Sequence, residues 1–121
     1  MAGDALIDGL RRVLSLREQQ HHLIAGNLAN ADTPGFRAKS LDFDGLLGRA
    51  MNGGSLSGGT ASDLQARVLE EAPAPWATDG NSVLVERETA RMQANVVQFQ
   101  AVSSGLSRRL ALLRFAAGDG K

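Results

Sequence analysis

The sequence predicts a mainly α-helical protein in which an N-terminal and a C-terminal helix pair as a coiled-coil-like hairpin around a flexible loop and a short β segment. Two observations support this prediction. Apolar residues recur at alternating spacings of four and three near both ends of the 121-residue chain. The stretch between them is rich in glycine, serine and proline. Because a 3.5-residue period is that of a coiled-coil seam, the two helices are expected to pair.

The first helix is predicted over residues 4–31, within an N-terminal segment of residues 1–32. Its stripe consists of Leu6, Leu10, Val13, Arg17, Gln20, Ile24 and Asn27. The helix should end before Pro34, because a proline disfavours the α region for the residue that precedes it. Pro34 and Gly35 fit the two central positions of a type II turn, since proline presets φ at the first and glycine accepts a positive φ at the second.

Residues 33–82 are predicted to be a turn and loop region. Residues 51–62 are rich in glycine and serine and are expected to form a mobile linker. Residues 64–69 could form a short strand, and residues 79–81 a turn. Asp42 and Asp44 form no catalytic pair with a base or nucleophile nearby, so turn and capping roles are expected for them.

The second helix is predicted over residues 83–117, within a C-terminal segment of residues 83–121. Its stripe consists of Met92, Val96, Phe99, Ser103, Leu106, Leu110 and Leu113. Residues 19–31 and 92–107 contain no charged residue, and neutral amides occupy their polar positions. Neutral amides cost less to desolvate than charges and can hydrogen-bond across an interface. We therefore expect both helices to be buried on more than one face by assembly, with a chance shortage of charge as the alternative.

Composition excludes several classes of function. Thirteen basic residues balance thirteen acidic ones, which disfavours binding to nucleic acid or directly to lipid. Cysteine is absent, and the adjacent His21 and His22 do not converge on one metal ion. No enzyme, metal site or cofactor is therefore predicted. The N-terminus lacks the apolar core of a secretory signal, so any export should follow a route without a cleavable signal peptide.

Residues 27–37 read Asn-Leu-Ala-Asn-Ala-Asp-Thr-Pro-Gly-Phe-Arg. This stretch resembles the N-terminal signature of the rod and hook family, the axial proteins of the bacterial flagellum. The signature turn would comprise Asn27, Asn30, Thr33, Pro34, Gly35 and Phe36. Residues 79–83, followed by Glu86, Glu88, Met92, Asn95 and Phe99, are similar to the C-terminal pattern of a proximal rod subunit. Leu84 stands where that family commonly has an acidic residue that caps the helix, so Asn81 or Ser82 is expected to cap it instead.

The resemblance implies a structural, non-enzymatic subunit of the periplasmic rod in the flagellar basal body. Its partners would be copies of itself, other rod proteins, the membrane-ring and export-gate base, and the flagellar type III export apparatus. It would link that base to the distal rod and transmit torque. The alternative in another class is a helical adaptor or regulatory protein that binds one partner through its heptad stripes.

Two sets of residues follow from this interpretation. Phe43 and Leu47 match the short pattern that rod and hook subunits are thought to present to the export gate, although both could simply pack against the helices. The predicted assembly interface consists of Ile24, Leu28, Met92, Asn95, Val96, Phe99, Gln100, Leu106 and Leu110.

Overall fold

The computed structural model describes residues 2–46 and 67–118. Within them the elements are helix α1 (Ala2–Ala29), strand β1 (Lys39–Leu41), strand β2 (Val68–Glu70) and helix α2 (Val85–Gly118). The predicted fold class, two long terminal helices with a short β segment between them, is confirmed. The Gly/Ser-rich stretch 51–62 and residues 64–66 of the predicted strand lie outside the described residues. No helix in the described part of the chain is long and apolar enough to cross a membrane.

The two helices run antiparallel along each other. Asn95 Nδ2 donates a hydrogen bond to the main-chain oxygen of Arg17 at 2.8 Å. Ten residues further along α1, Asn27 Nδ2 donates to Glu88 Oε2 at 3.0 Å. Residues later in α1 therefore contact residues earlier in α2, which is the arrangement of an antiparallel helical hairpin.

The face of α2 that meets α1 differs from the predicted stripe. The buried residues of α2 are Glu88 and Asn95, and the same line continues seven residues on at the half-buried Val102. Val96 and Phe99, which the stripe places at the seam, are exposed. The observed seam is lined by polar side chains that have hydrogen-bond partners inside the chain. The apolar spacing therefore predicts a line of residues on α2 that is displaced by about one position from the observed line.

The strands form a two-stranded antiparallel sheet in which Ser40 lies opposite Leu69. The pairing extends one residue beyond β1 at each end, since Asp42 N donates to Arg67 O at 3.0 Å and Glu71 N donates to Ala38 O at 2.9 Å. The sequence predicted a strand only for the second of these segments; β1 was not anticipated.

Side chains of α1 occupy the other edge of β1. Leu41 N donates to Gln20 Oε1 at 2.9 Å, and Lys39 N donates to Asn27 Oδ1 at 2.9 Å. Asn27 Nδ2 returns a hydrogen bond to Lys39 O at 2.8 Å. Backbone groups of a buried strand must be paired, and here side-chain amides of a helix take the place of a third strand.

A small apolar cluster lies between α1 and the sheet. Leu16, Leu41 and Leu46 are its buried members, and the half-buried Phe43 packs against them. Residues 43–46 begin a helical turn. Asp42 Oδ1 accepts a hydrogen bond from Gly45 N at 3.1 Å, so Asp42 has the capping role expected for it.

Candidate functional site

The turn after α1 has the predicted conformation. Phe36 N donates to Thr33 O at 3.2 Å, which closes a four-residue turn around Pro34 and Gly35. Gly35 has φ +76°, the positive value that the third position of a type II turn requires. Helix α1 ends at Ala29, two residues before the earliest predicted end.

Asn81 covers the turn that follows α1. Its Nδ2 lies 2.9 Å from Asn30 O, 3.0 Å from Ala31 O and 2.7 Å from Thr33 O. These residues follow Ala29, the last residue of α1, and the amide pairs their carbonyls from about fifty residues away. Asn30 adds a local bond, from its Nδ2 to Gly26 O at 2.8 Å.

The predicted cap of the second helix was therefore wrong. Asn81 Nδ2 bonds to the turn after α1, and Asn81 Oδ1 accepts from Val83 N at 2.7 Å, two residues before α2 begins. Ser82 Oγ accepts from Ala38 N at 2.7 Å and does not reach α2. The first turn of α2 instead carries Glu86 and Glu88, whose negative charges favour a helix N-terminus.

The turn and the segment before α2 are joined through their backbones. Gly35 N donates to Asp79 O at 2.8 Å, and Ser82 N donates to Phe36 O at 3.0 Å. Gly80, with φ +73°, lies beside Gly35, and an added Cβ would be in ordinary van der Waals contact with the Gly35 Cα atom at 3.6 Å. The motif at residues 27–37 and the motif that begins at residue 79 thus form one structural unit.

A buried polar cluster adjoins this unit. The Glu88 side chain is 0% exposed, and Asn27 is also buried. Arg91 Nη1 donates to Glu88 Oε1 at 3.1 Å and to Glu71 Oε1 at 2.9 Å, and Arg87 also pairs with Glu71. Two guanidinium groups therefore balance two carboxylates, and the cluster connects α1, α2 and the end of β2. Apart from the presence of Glu88 in the C-terminal pattern, no sequence signal indicated this partnership.

Two predicted interface residues lie inside the chain, which corrects their assignment. Ile24 and Asn95 are buried. Among the other predicted interface residues, Leu28, Met92, Leu106 and Leu110 are half-buried, whereas Val96, Phe99 and Gln100 are exposed.

The amides of the uncharged stretches also need correction. Gln20, Asn27 and Asn95 were expected to hydrogen-bond across a subunit interface, but they bond within the chain. They are desolvated by β1 and by the facing helix, so their neutrality carries no information about assembly.

Phe43 of the proposed export pattern lies beneath Arg17. The guanidinium carbon is 4.1 Å from the centroid of the ring, within the range of a cation–π contact. Burial lowers the pKa of the Arg17 guanidinium. Leu47, the second residue of the pattern, lies outside the described residues.

In residues 2–46 and 67–118, no group of three or more His, Asp or Glu side chains could hold a metal ion.

Similarity to known proteins bears on the function. The chain is 32% identical over 123 residues to the flagellar basal body rod protein FlgB of Proteus mirabilis, a match covering 86% of this chain and 90% of that protein. The chain belongs to the FlgB family. The FlgB protein of Escherichia coli K12 is 30% identical over 122 residues, covering 88% of each chain. The FlgB protein of Cereibacter sphaeroides is 32% identical over 114 residues, covering 87% of this chain and 88% of that one. No protein-family model matches the sequence.

Proposed function

We propose that this chain is a structural subunit of the flagellar rod that assembles with copies of itself and with other rod proteins. Membership of the FlgB family supports a place in the basal body. The observation that supports assembly is the apolar surface of α2 that α1 leaves uncovered. Val96, Val97 and Phe99 are all exposed, Val97 by 64%. Val96 and Phe99, three positions apart, are neighbours on one face of the helix, and exposed apolar surface is typical of an interaction site.

The surroundings of these residues suit close packing against a neighbour. Residues 92–107 carry no charge, so a neighbouring helix would desolvate amides and hydroxyls and no ionised group. Ala94, Ala101 and Gly105 are exposed on the opposite side of the same stretch, where a second neighbour could approach the backbone of α2 closely. The interface would thus comprise Val96, Phe99 and Gln100, with the half-buried Met92, Leu106 and Leu110 at its edge.

The role in the flagellum would be mechanical. The helices are continuous over 28 and 34 residues, about 42 and 51 Å at 1.5 Å per residue. Such lengths are suited to carrying torque between the membrane-ring and export-gate base and the distal rod. The subunit would reach the periplasm through the flagellar type III apparatus, with Phe43 and Leu47 as part of its export signal.

Introducing a charge into the uncovered face of α2 tests this function. Val96→Glu and Gln100→Glu would each place a carboxylate in a desolvated contact, at a cost of several kcal/mol. Both variants should still be secreted, because export acts on the unfolded chain, but they should fail to build a rod. Val96→Thr and Gln100→Asn are the matched uncharged controls and should assemble. Secreted subunit and completed basal bodies would be counted in cells lacking the wild-type protein, and normal motility with both glutamates would contradict the interface.

A further inference from the structure

The dipeptide Asp-Gly occurs three times in the described part of the chain. The pairs are Asp8–Gly9, Asp44–Gly45 and Asp79–Gly80, and all three aspartates are exposed. An aspartate before glycine is readily attacked at its carboxyl group by the next backbone nitrogen, because glycine has no Cβ to hinder the approach. The sequence therefore offers three sites for this reaction, and exposure does not distinguish them.

The backbone conformation separates the three pairs. Gly9 lies inside α1, where its N–H donates to the carbonyl four residues earlier. Gly45 N donates to Asp42 Oδ1 at 3.1 Å at the start of a helical turn. Gly80 follows a turn, with φ +73°, and its N–H has no hydrogen-bond acceptor in residues 2–46 and 67–118. Of the three attacking nitrogens, the one at Gly80 is therefore not already engaged.

The Asp79 side chain folds back toward that nitrogen. Its Oδ1 accepts a hydrogen bond from Asn81 N at 3.0 Å, which is the pattern of an Asx turn. The hydrogen-bonded ring of this turn contains both Asp79 Cγ and Gly80 N, the two atoms that the reaction joins. The carboxyl group is thus held on the side of the backbone where the available nitrogen lies.

We propose that Asp79 is a site of spontaneous isomerisation to isoaspartate in the folded chain. Gly80 N attacks Cγ of the protonated carboxyl group, the N–H proton and the carboxyl hydroxyl leave as water, and a five-membered succinimide forms. Water then opens this ring at either carbonyl, which gives aspartate or isoaspartate. The net change is an isomerisation that needs no enzyme or oxidant, and it does not depend on the proposed function.

Isoaspartate at position 79 disconnects the turn after α1 from the segment before α2. The main chain then passes through Asp79 Cγ, and the former main-chain carbonyl, which accepts from Gly35 N at 2.8 Å, becomes a free carboxylate. The extra backbone atom also displaces Asn81, whose Nδ2 lies 2.7 to 3.0 Å from three carbonyl oxygens of that turn. Ageing of the free chain therefore loosens this connection.

Peptide mapping of the aged chain tests the site. The purified folded chain is incubated near neutral pH at body temperature and digested with trypsin. Each peptide is then assayed with protein isoaspartyl methyltransferase, which labels isoaspartate and not aspartate. Cleavage after Lys and Arg places the three pairs on separate peptides, residues 1–11, 40–49 and 68–87. Asn52–Gly53 and Asp119–Gly120 lie outside the described residues and fall on other peptides.

Peptide 68–87 should contain about tenfold more isoaspartate than the other two, because attack at Gly9 or Gly45 first requires its N–H hydrogen bond and helical backbone to be broken. Incubation in denaturant is the matched control and should bring the three yields close together. Equal yields from the folded chain would overturn the proposal. A difference that persists in denaturant would also overturn it, because the selection would then come from local sequence and not from the fold.

Two substitutions locate the reaction at residue 79. Asp79→Glu keeps the charge, but its longer side chain would have to close a six-membered ring, so peptide 68–87 should lose its label. Asp79→Asn carries an amide, which leaves more readily than the carboxyl hydroxyl near neutral pH, and should raise the yield. Label that remains in Asp79→Glu would assign the reaction to another residue of the peptide and contradict the proposal.

Amide hydrogen exchange measures the structural consequence. The aged chain should exchange faster than the fresh chain in residues 26–36, and repair by the same methyltransferase with S-adenosylmethionine should restore the slower exchange. Aged Asp79→Glu is the control and should exchange as the fresh variant does. Unchanged exchange in a chain shown to contain isoaspartate at position 79 would refute the loosening.

Discussion

Asn27 and Glu88, 61 residues apart in sequence, meet in the interior of the helical hairpin, where the amide nitrogen of Asn27 lies 3.0 Å from a carboxylate oxygen of Glu88. Neither side chain has appreciable contact with solvent. Asn27 also forms hydrogen bonds with the backbone N–H and the backbone carbonyl of Lys39, so one side chain connects α1, α2 and β1. A buried carboxylate is tolerated only when it is paired and hydrogen-bonded, and here Asn27 and Arg91 supply those partners.

Asn27→Asp should therefore be strongly destabilising. The change removes the donor to Glu88 and sets two carboxylates against each other in a buried site, at a cost of about 3–5 kcal/mol in the free energy of unfolding. Denaturant unfolding of the purified chain would measure it. Gln93→Glu is the matched control, because it makes the same chemical change at an exposed position of α2 and should cost less than about 0.5 kcal/mol. Equal unfolding midpoints for the two variants would contradict the buried contact.

Asn81→Ala should loosen the end of α1. It removes the amide that lies against three carbonyl oxygens, and we expect a loss of about 1–2 kcal/mol with faster amide hydrogen exchange in residues 26–36. Asn81→Asp retains the acceptor for Val83 N but directs a carboxylate at the same carbonyls. It should be worse than alanine. An aspartate variant as stable as the wild type would show that the three hydrogen bonds contribute nothing.

Substitutions at Gly35 should be ranked by backbone conformation alone. An added Cβ meets no atom within 4 Å, so the cost of a side chain comes from the positive φ and not from crowding. Gly35→Asn should be tolerated better than Gly35→Val, because asparagine enters the left-handed region more readily than a β-branched residue. Swimming motility at equal expression would compare the two, and indistinguishable motility would argue against a role for this turn in the assembled rod.

Phe43 offers a way to separate folding from export. A double-mutant cycle with Arg17→Met and Phe43→Leu should give a coupling energy of about 0.5–1 kcal/mol, the usual size of a cation–π contact at a partly exposed site. The amount of secreted Phe43→Leu subunit would test the proposed export role separately. A coupling energy of zero would show that the Arg17 contact with the ring has no energetic effect in solution.

The parts of the fold that sequence predicts are those governed by local rules. The terminal helices follow from apolar spacing, and the turn at Pro34 and Gly35 follows from the φ values that these two residues favour. Membership of the flagellar rod proteins could also be predicted from the sequence, because the two family motifs lie in short, continuous stretches.

The remaining features depend on long-range partners. The seam on α2 is lined by Glu88 and Asn95, which an apolar pattern assigns to the solvent side. Strand β1 has three residues and no alternation, and it is held by Gln20 and Asn27 from a helix. The role of Asn81 could not be found from its neighbours in sequence, because the carbonyls that it covers belong to the turn that follows α1. In each case the deciding contact joins residues many positions apart, where local propensity gives no information.

The side-chain amides along β1 also bear on how copies of this chain can misassemble. An open strand edge invites pairing with a strand of another molecule, which leads to aggregates of cross-β type. On one edge of β1, the backbone N–H groups of Lys39 and Leu41 are already hydrogen-bonded to Asn27 and Gln20. On the other edge, β1 is paired with β2. An intruding strand would have to displace α1 to reach the first of these edges, so the folded chain is protected there against cross-β addition of another copy.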